Sequence, residues 1–256
     1  MIEILETRIA PATLTWIGAT TPQWSAANNW SPPSVPAPGD TLVFDDSAIA
    51  TTLVNDTPNG TPYSLLFNVA TNNYIINGNS VAFGAGGGLT KNGVATTTMN
   101  ISLIGSGGVT ENAGILELKR PNPFTGGITI AGGILRVQDD TNLGAPTGDV
   151  TILSGATLET LGSLASGRGF HLGGTANIAV QGGTDFNISG LVTDAGVPGA
   201  LAKLGAGNLT LSNPGNSFTG DINVASGLLR AVGAASSANP VKIGRASCRE
   251  RVCYAV

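Results

Sequence analysis

Residues 114–137 read GILELKRPNPFTGGITIAGGILRV, and residues 207–231 read GNLTLSNPGNSFTGDINVASGLLRA. With one residue inserted in the second stretch, Gly114, Leu116 and Leu118 fall on Gly207, Leu209 and Leu211, and Phe124-Thr125-Gly126 falls on Phe218-Thr219-Gly220. Ile128 and Ile130 then match Ile222 and Val224, and Gly133-Ile134-Leu135-Arg136 matches Gly227-Leu228-Leu229-Arg230. A self-similarity of this length points to a stacked architecture, because each repeat is a unit that buries its apolar face only against its neighbours. A lead-in precedes both copies, as Gly107-Gly108-Val109-Thr110-Glu111 and Gly199-Ala200-Leu201-Ala202-Lys203, and echoes Gly87-Gly88-Leu89-Thr90-Lys91.

A shorter period lies inside the long one. Gly127-Ile128-Thr129-Ile130 returns as Asp149-Val150-Thr151-Ile152, and each is followed by a Gly-containing corner and a second short apolar run. Apolar residues alternating with Thr or Asn and bounded by Gly signal strands with one buried face. Glycine at the corners supplies positive φ without a Cβ clash. Strands so closely spaced leave no room for crossover helices, so a coil of parallel strands or an antiparallel sandwich remains. Sequential repetition of near-identical rungs favours the coil. The expected fold is therefore all-β, a right-handed parallel β-helix (β-solenoid) with an N-terminal β cap region. Inward Ile, Leu and Val would form its core and outward Thr, Ser and Asn would meet water.

Composition agrees. The 256 residues include 37 Gly, are 41% hydrophobic and only 11% charged, and carry a formal charge of -4. This excludes a charged disordered chain, and the Gly lacks the three-residue period of collagen. Scarce charge suits stacked rungs, where like side chains would stand about 4.8 Å apart. The chain is not expected to span a membrane itself, since no apolar run reaches roughly 18 residues. An acidic body without a basic stripe is not expected to bind nucleic acid.

Both ends depart from the pattern. Residues 243–252, IGRASCRERV, hold Arg245, Arg249 and Arg251, whereas the 242 residues before them hold nine basic side chains. This stretch resembles the translation of a sequencing-library adapter, so 243–256 is read as a non-native tail. Removing its three Arg and Glu250 changes 12 minus 16 into 9 minus 15, or -6, and removes both cysteines, Cys248 and Cys253. Residues 1–12 form a leader-like segment without the basic and apolar regions of a signal peptide. Residues 13–82, with Trp16, Trp24 and Trp30, form a lead-in module and cap, and 83–242 form the solenoid repeats. Pro240-Val241-Lys242 stands where Asp149-Val150-Thr151 stands in the earlier copy, so the chain is expected to stop inside a repeat.

Gly-Gly-Leu-Thr-Lys leading into Gly-x-Leu-x-Leu, then Phe-Thr-Gly, then two short strands, resembles the autotransporter-associated β-strand repeat. The resemblance is good over residues 86–137 and 199–231. It implies a secreted or cell-surface, outer-membrane-associated passenger segment, a stalk or adhesive scaffold without catalytic residues. The implied partners are surface glycans, host or neighbour-cell components, and an outer-membrane translocation barrel. Two departures, Glu111 in the place of Lys203 and Lys119-Arg120 in the place of Ser212-Asn213, are read as leaving the inward positions undisturbed.

No catalytic, cofactor-binding or metal-ligating residue is assigned, and each candidate has an ordinary reading beside the functional one. His171, the single histidine, reads as a surface or strand-edge residue. Asp45-Asp46 and Asp139-Asp140 are paired carboxylates at strand ends, where Asp also favours turns. Arg136 near Asp139 and Asp140 makes the strongest enzymatic alternative, a carbohydrate-active β-helix enzyme. Gly84 to Gly88 and Gly105 to Gly108 lack the Gly-Lys-Ser/Thr ending of a phosphate loop and read as corners. Gly182-Gly183-Thr184-Asp185 resembles a calcium-binding nonapeptide but occurs once. Trp16, Trp24 and Trp30 read as the packed cap of the first rung, with an aromatic glycan-binding platform as the alternative.

Overall fold

The computed structural model describes residues 10–231, 241–243 and 254–255. Most of the leader-like segment and most of the adapter-like tail lie outside the described residues. The rest is a parallel β-solenoid of about 9 turns, with helix limited to two short 3-10 segments, Ala27–Asn29 and Asp140–Leu143.

Three stacks of strands run along it. The first contains Thr13–Trp16, Thr41–Asp45, Ser64–Asn68, Gly88–Asn92, Gly108–Glu111, Ile128–Ile130 and Val150–Ile152, continued by 170–172 and 192–194. The second contains Thr52–Asn55, Tyr74–Gly78, Thr96–Met99, Ile115–Leu118, Ile134–Val137 and Thr157–Thr160, continued by 177–180 and 202–204. The third has Thr61–Pro62, Val81–Phe83 and Leu103–Gly105 at one end and Leu164–Ser166, Asp185–Ile188, Asn208–Leu211 and Leu228–Ala231 at the other. Loops bridge the interval: Asn122 Oδ1 accepts from the Leu103 amide at 2.8 Å, and the Ala145 amide donates to the Phe124 carbonyl at 2.8 Å.

The core follows from in-register alternation. Leu14, Leu42, Leu65, Leu89, Val109, Ile128, Val150, Phe170 and Val192 occupy one inward column of the first stack, every one of them buried. Because strand side chains alternate, the next inward column lies two residues on. It reads Trp16, Phe44, Phe67, Lys91, Glu111, Ile130, Ile152 and Leu172. Two ionisable groups therefore interrupt an apolar ladder. Lys91, Glu111 and Lys203 are all 0% exposed, which corrects the reading that the Glu111-for-Lys203 exchange spares the inward positions. The lead-in alternates as Leu-x-Lys or Val-x-Glu, and a residue two places after an inward Leu or Val is itself inward.

The two copies of the long repeat do not occupy the same stacks. Val109 and Ile115 stand on the first and second, whereas Leu201 and Asn208 stand on the second and third. The matched segments begin 201 minus 109, or 92, residues apart, which carries the chain through four turns and one stack further. Val241–Ile243 pairs with Ile222–Val224 as Val150–Ile152 pairs with Ile128–Ile130, in line with the expected alignment of 240–242 on 149–151.

Among the described residues, Trp30–Ser31 lies at the N-terminal end of the first stack and runs antiparallel to Thr13–Trp16. Trp16, Trp24 and Trp30 are wholly buried, with Trp16 edge-on to Trp30 at 5.0 Å and Trp24 tilted against Phe44 at 5.6 Å. The Trp30 indole donates to the Trp24 carbonyl and the Trp16 indole to the Ala50 carbonyl, each at 2.8 Å. They form the cap, and no indole face is left for an aromatic sugar platform.

Candidate functional site

The outward face of the first stack carries the most regular chemistry. Thr90, Thr110, Thr129 and Thr151 stand in register, followed by His171 and Thr193. Beside the threonines the side chains vanish, because Gly88 pairs with Gly108 and a Cβ on Gly108 would lie 2.8 Å from the carbonyl oxygens of Gly126 and Gly127. A Cβ on Gly88 would come within 2.5 Å of the Gly108 oxygen. Glycine is thus fixed by the close approach of successive backbones. The result is a groove of about 380 Å³ floored by Gly86 to Gly88, Gly108, Gly126 and Gly127. Thr41, Ser64, Thr90, Thr110 and Thr129 line it together with Leu65, Leu66, Leu89 and Val109, and no charged residue does.

The sequence-derived enzymatic cluster is not assembled. Arg136 lies between Glu117 and Glu159 on adjacent turns, with its Nη1 3.0 Å from Glu117 and its Nε 2.6 Å from Glu159. Lys119 adds a contact to Glu117 at 3.3 Å. Glu117 is the most engaged acid here: burial raises its pKa, but the Arg136, Thr98 and Lys119 contacts outweigh this and lower it. The outward ladder thus alternates in sign, the only arrangement of charged side chains that close stacking rewards. Asp139 instead accepts from the Thr141 amide at 2.9 Å and caps Asp140–Leu143, and these bonds lower its pKa.

Asp140 pairs with Arg168, a side chain that sequence reading passed over. Arg168 is buried, 3.0 Å from Asp140 Oδ2, and its guanidinium donates to the carbonyls of Leu143, Ala145 and Gly148 at 3.0 Å each. One rigid five-donor group therefore gathers the loop over 140–148. The visible signal was its isolation between Gly167 and Gly169 in a chain so poor in charge.

Of the other pair, Asp45 accepts from the Ser47 amide at 2.9 Å, and Asp46 accepts from the amides of Ala70, Thr71 and Asn72 at 2.9, 3.0 and 2.9 Å. Those donors lower Asp46 to about 2 and make it a corner staple. His171 spans three turns, its Nδ1 2.8 Å from Thr193 Oγ1 and its Nε2 3.2 Å from Asp149. Gly86, Gly105 and Gly183 adopt φ of +80°, +96° and +81°, so the three Gly-rich stretches are corners. Asp185 accepts from Asn208 Nδ2 at 2.7 Å on the next turn. Among the described residues no group of three His, Cys, Asp or Glu could hold a metal ion, and no helix is long and apolar enough to cross a membrane.

Inside, the Lys91 ammonium donates to the Gly93 and Ala113 carbonyls, both at 2.6 Å. Lys203 donates to Leu204, Gly205 and Ser226 at 2.7, 2.8 and 3.1 Å. Burial lowers Lys91, against the pull of Glu111, and lowers Lys203 to about 8. Both Glu111 oxygens are buried without a hydrogen-bond partner, and burial pushes this carboxyl up to about 8 despite the Lys91 ammonium.

Comparison with known proteins gives three findings. The passenger-associated-transport-repeat family matches residues 109–137 and 201–231. The chain is 32% identical over 212 residues to the adhesin BmaC autotransporter of Brucella suis biovar 1 (strain 1330), an alignment covering 80% of this chain and 6% of that protein. No solved structure matches.

Proposed function

This chain is a passenger-associated transport repeat protein, and we propose that it forms a non-catalytic, adhesive stalk segment of a secreted or surface-exposed, outer-membrane-associated protein. The chain spans only about 6% of the length of its autotransporter relative, so the segment would act within a larger assembly that includes a translocation barrel. The observation that carries this reading is the dispersal of every candidate catalytic group into a structural pairing along a rod of matched repeats. Arg136, Asp139, Asp140 and Asp46 each have structural partners and no two converge on an open cleft. Function then resides in geometry, as in other solenoids whose faces display binding surface.

The adhesive surface is the neutral groove of the first stack. Hydroxyls and open peptide groups suit a ligand that is itself neutral and rich in hydroxyls, and the partner class is an uncharged surface glycan. Retention of the chain on an array of neutral and acidic glycans tests this, with Thr110→Arg as the blocking variant. Binding to neutral glycans that the variant loses while its melting temperature stays unchanged is the expected result. Equal binding by both proteins would move the adhesive surface elsewhere, and release of reducing sugar ends would overturn the non-catalytic reading.

A further inference from the structure

Buried lysines are expensive, yet this solenoid places two in equivalent settings 112 residues apart, 203 minus 91. Each ammonium binds a carbonyl of its own corner, Gly93 for Lys91 and Leu204 with Gly205 for Lys203. Each also reaches forward to a corner carbonyl of the following turn, Ala113 or Ser226. A glycine of that following turn leaves room for the ammonium: a Cβ on Gly114 would lie 2.7 Å from Lys91 Nζ, and one on Gly227 2.9 Å from Lys203 Nζ. Both glycines have positive φ, +80° and +72°. The Lys-Gly pair thus recurs on different stacks of the fold, with Ile178 and Val224 flanking Lys203 where Phe67 and Glu111 flank Lys91. The arrangement belongs to the pair itself and not to one location.

We infer that Lys91 with Gly114 and Lys203 with Gly227 are clasps that couple a turn to the next, so that the two turns open as one unit. A buried ammonium stays satisfied only while both corners are in place, since losing the following corner strands a charge in an apolar interior. Opening of the second turn alone is thereby penalised, and the turns become one cooperative element of an otherwise turn-by-turn array. The junction after Glu111 lacks this device. Gly133 is there with φ +67°, but the side chain opposite it is an acid that donates to neither corner. What crosses that junction is backbone pairing, such as the Ala131 amide on Glu111 at 2.7 Å, and the outward Arg136–Glu117 contact.

Native-state hydrogen exchange on the full chain tests the inference. In the wild type, amides of 112–115 should exchange together with those of 93–95, and more slowly than those of 131–134. Lys91→Met removes the donors while keeping the apolar stem, and should speed exchange at 112–115 at least tenfold while leaving 131–134 unchanged. Lys203→Met should do the same at 225–228. Unchanged protection at the clasped corners, or an equal loss along every turn, would overturn the proposal. Amine labelling of the wild type gives a readout independent of whether the variants fold. Lys119, at 46% side-chain exposure, should react at once, whereas Lys91 and Lys203 should react only at the rate at which their paired turns open. Labelling of Lys91 or Lys203 as fast as Lys119 would refute the clasp.

Discussion

Glu111 gives the solenoid a pH dependence whose sign and window follow from its position. Its carboxyl is fully buried, has no hydrogen-bond donor, and is raised by burial from 4.5 to about 8. Between these values the unfolded chain has released the proton and the folded chain keeps it. Stability is therefore complete below pH 4.5 and declines as pH rises towards 8. At pH 7 the difference spans 2.5 of those units, and at roughly 1.4 kcal/mol per unit it amounts to about 3 kcal/mol. Lys91, lowered by burial and facing Glu111 on the neighbouring turn, titrates together with it, so this window belongs to the pair. The carboxylates lowered elsewhere and Lys203 act outside it. Asp46, Asp139, Asp194 and Glu117 are lowered and matter only below their ordinary values, while Lys203, lowered to about 8, costs stability below its ordinary value of 10.5 and regains it as pH rises between the two. Glu111→Gln keeps the shape and removes the titration. At pH 4.5 the two proteins should melt within a degree or two of each other. By pH 7 the variant should melt higher by roughly 5–10 °C, taking about 2–4 °C per kcal/mol for a domain of this size. Melting curves at half-unit intervals from pH 4.5 to 8 supply the comparison. Parallel profiles, with a constant gap between the proteins, would show that Glu111 is ionised or solvated in the fold and would refute the reasoning.

Other outcomes follow from single contacts. Arg168→Met should destabilise the chain by about 3–5 kcal/mol, the range for stranding a buried partner, and expose 140–148 to early proteolysis. Trp24→Ala should cost about 3–5 kcal/mol by opening a cavity at the capped end, and wild-type tryptophan emission should be insensitive to both acrylamide and added sugars. Arg136→Glu places three carboxylates in register on successive turns, and a drop of about 1 kcal/mol or more that salt partly restores should appear in urea titrations. Gly108→Val should prevent native stacking of the turns on either side, with loss of the soluble folded form, since its Cβ would press on the Gly126 and Gly127 carbonyls.

Much of the fold is legible in residues 114–137 and 207–231, because alternation and corner glycine are local devices. Leu116 and Leu118 are inward since they lie two apart in a strand, and Gly114 and Gly227 bend the chain since φ is positive there. The cap is also legible, as three large indoles near one end of a stack have little else to cover. The candidate enzyme site was not, since nearness in sequence is a poor guide across a corner. Arg136 and Asp139 are three residues apart, but Arg136 projects from a strand towards its neighbours above and below, while Asp139 turns back onto Thr141.

The sequence by itself determined that this protein is a coil of short parallel strands with a largely apolar interior and an exterior poor in charge. Tertiary structure alone decided which stack each copy occupies, because the three stacks are chemically similar and the landing place depends on the summed length of the turns between the copies. It also decided that Lys91, Glu111 and Lys203 point inward and that only the lysines find hydrogen-bond partners there. Of their acceptors, the Ala113 and Ser226 carbonyls lie 22 and 23 residues further along and meet their donors only when one turn lies on the next.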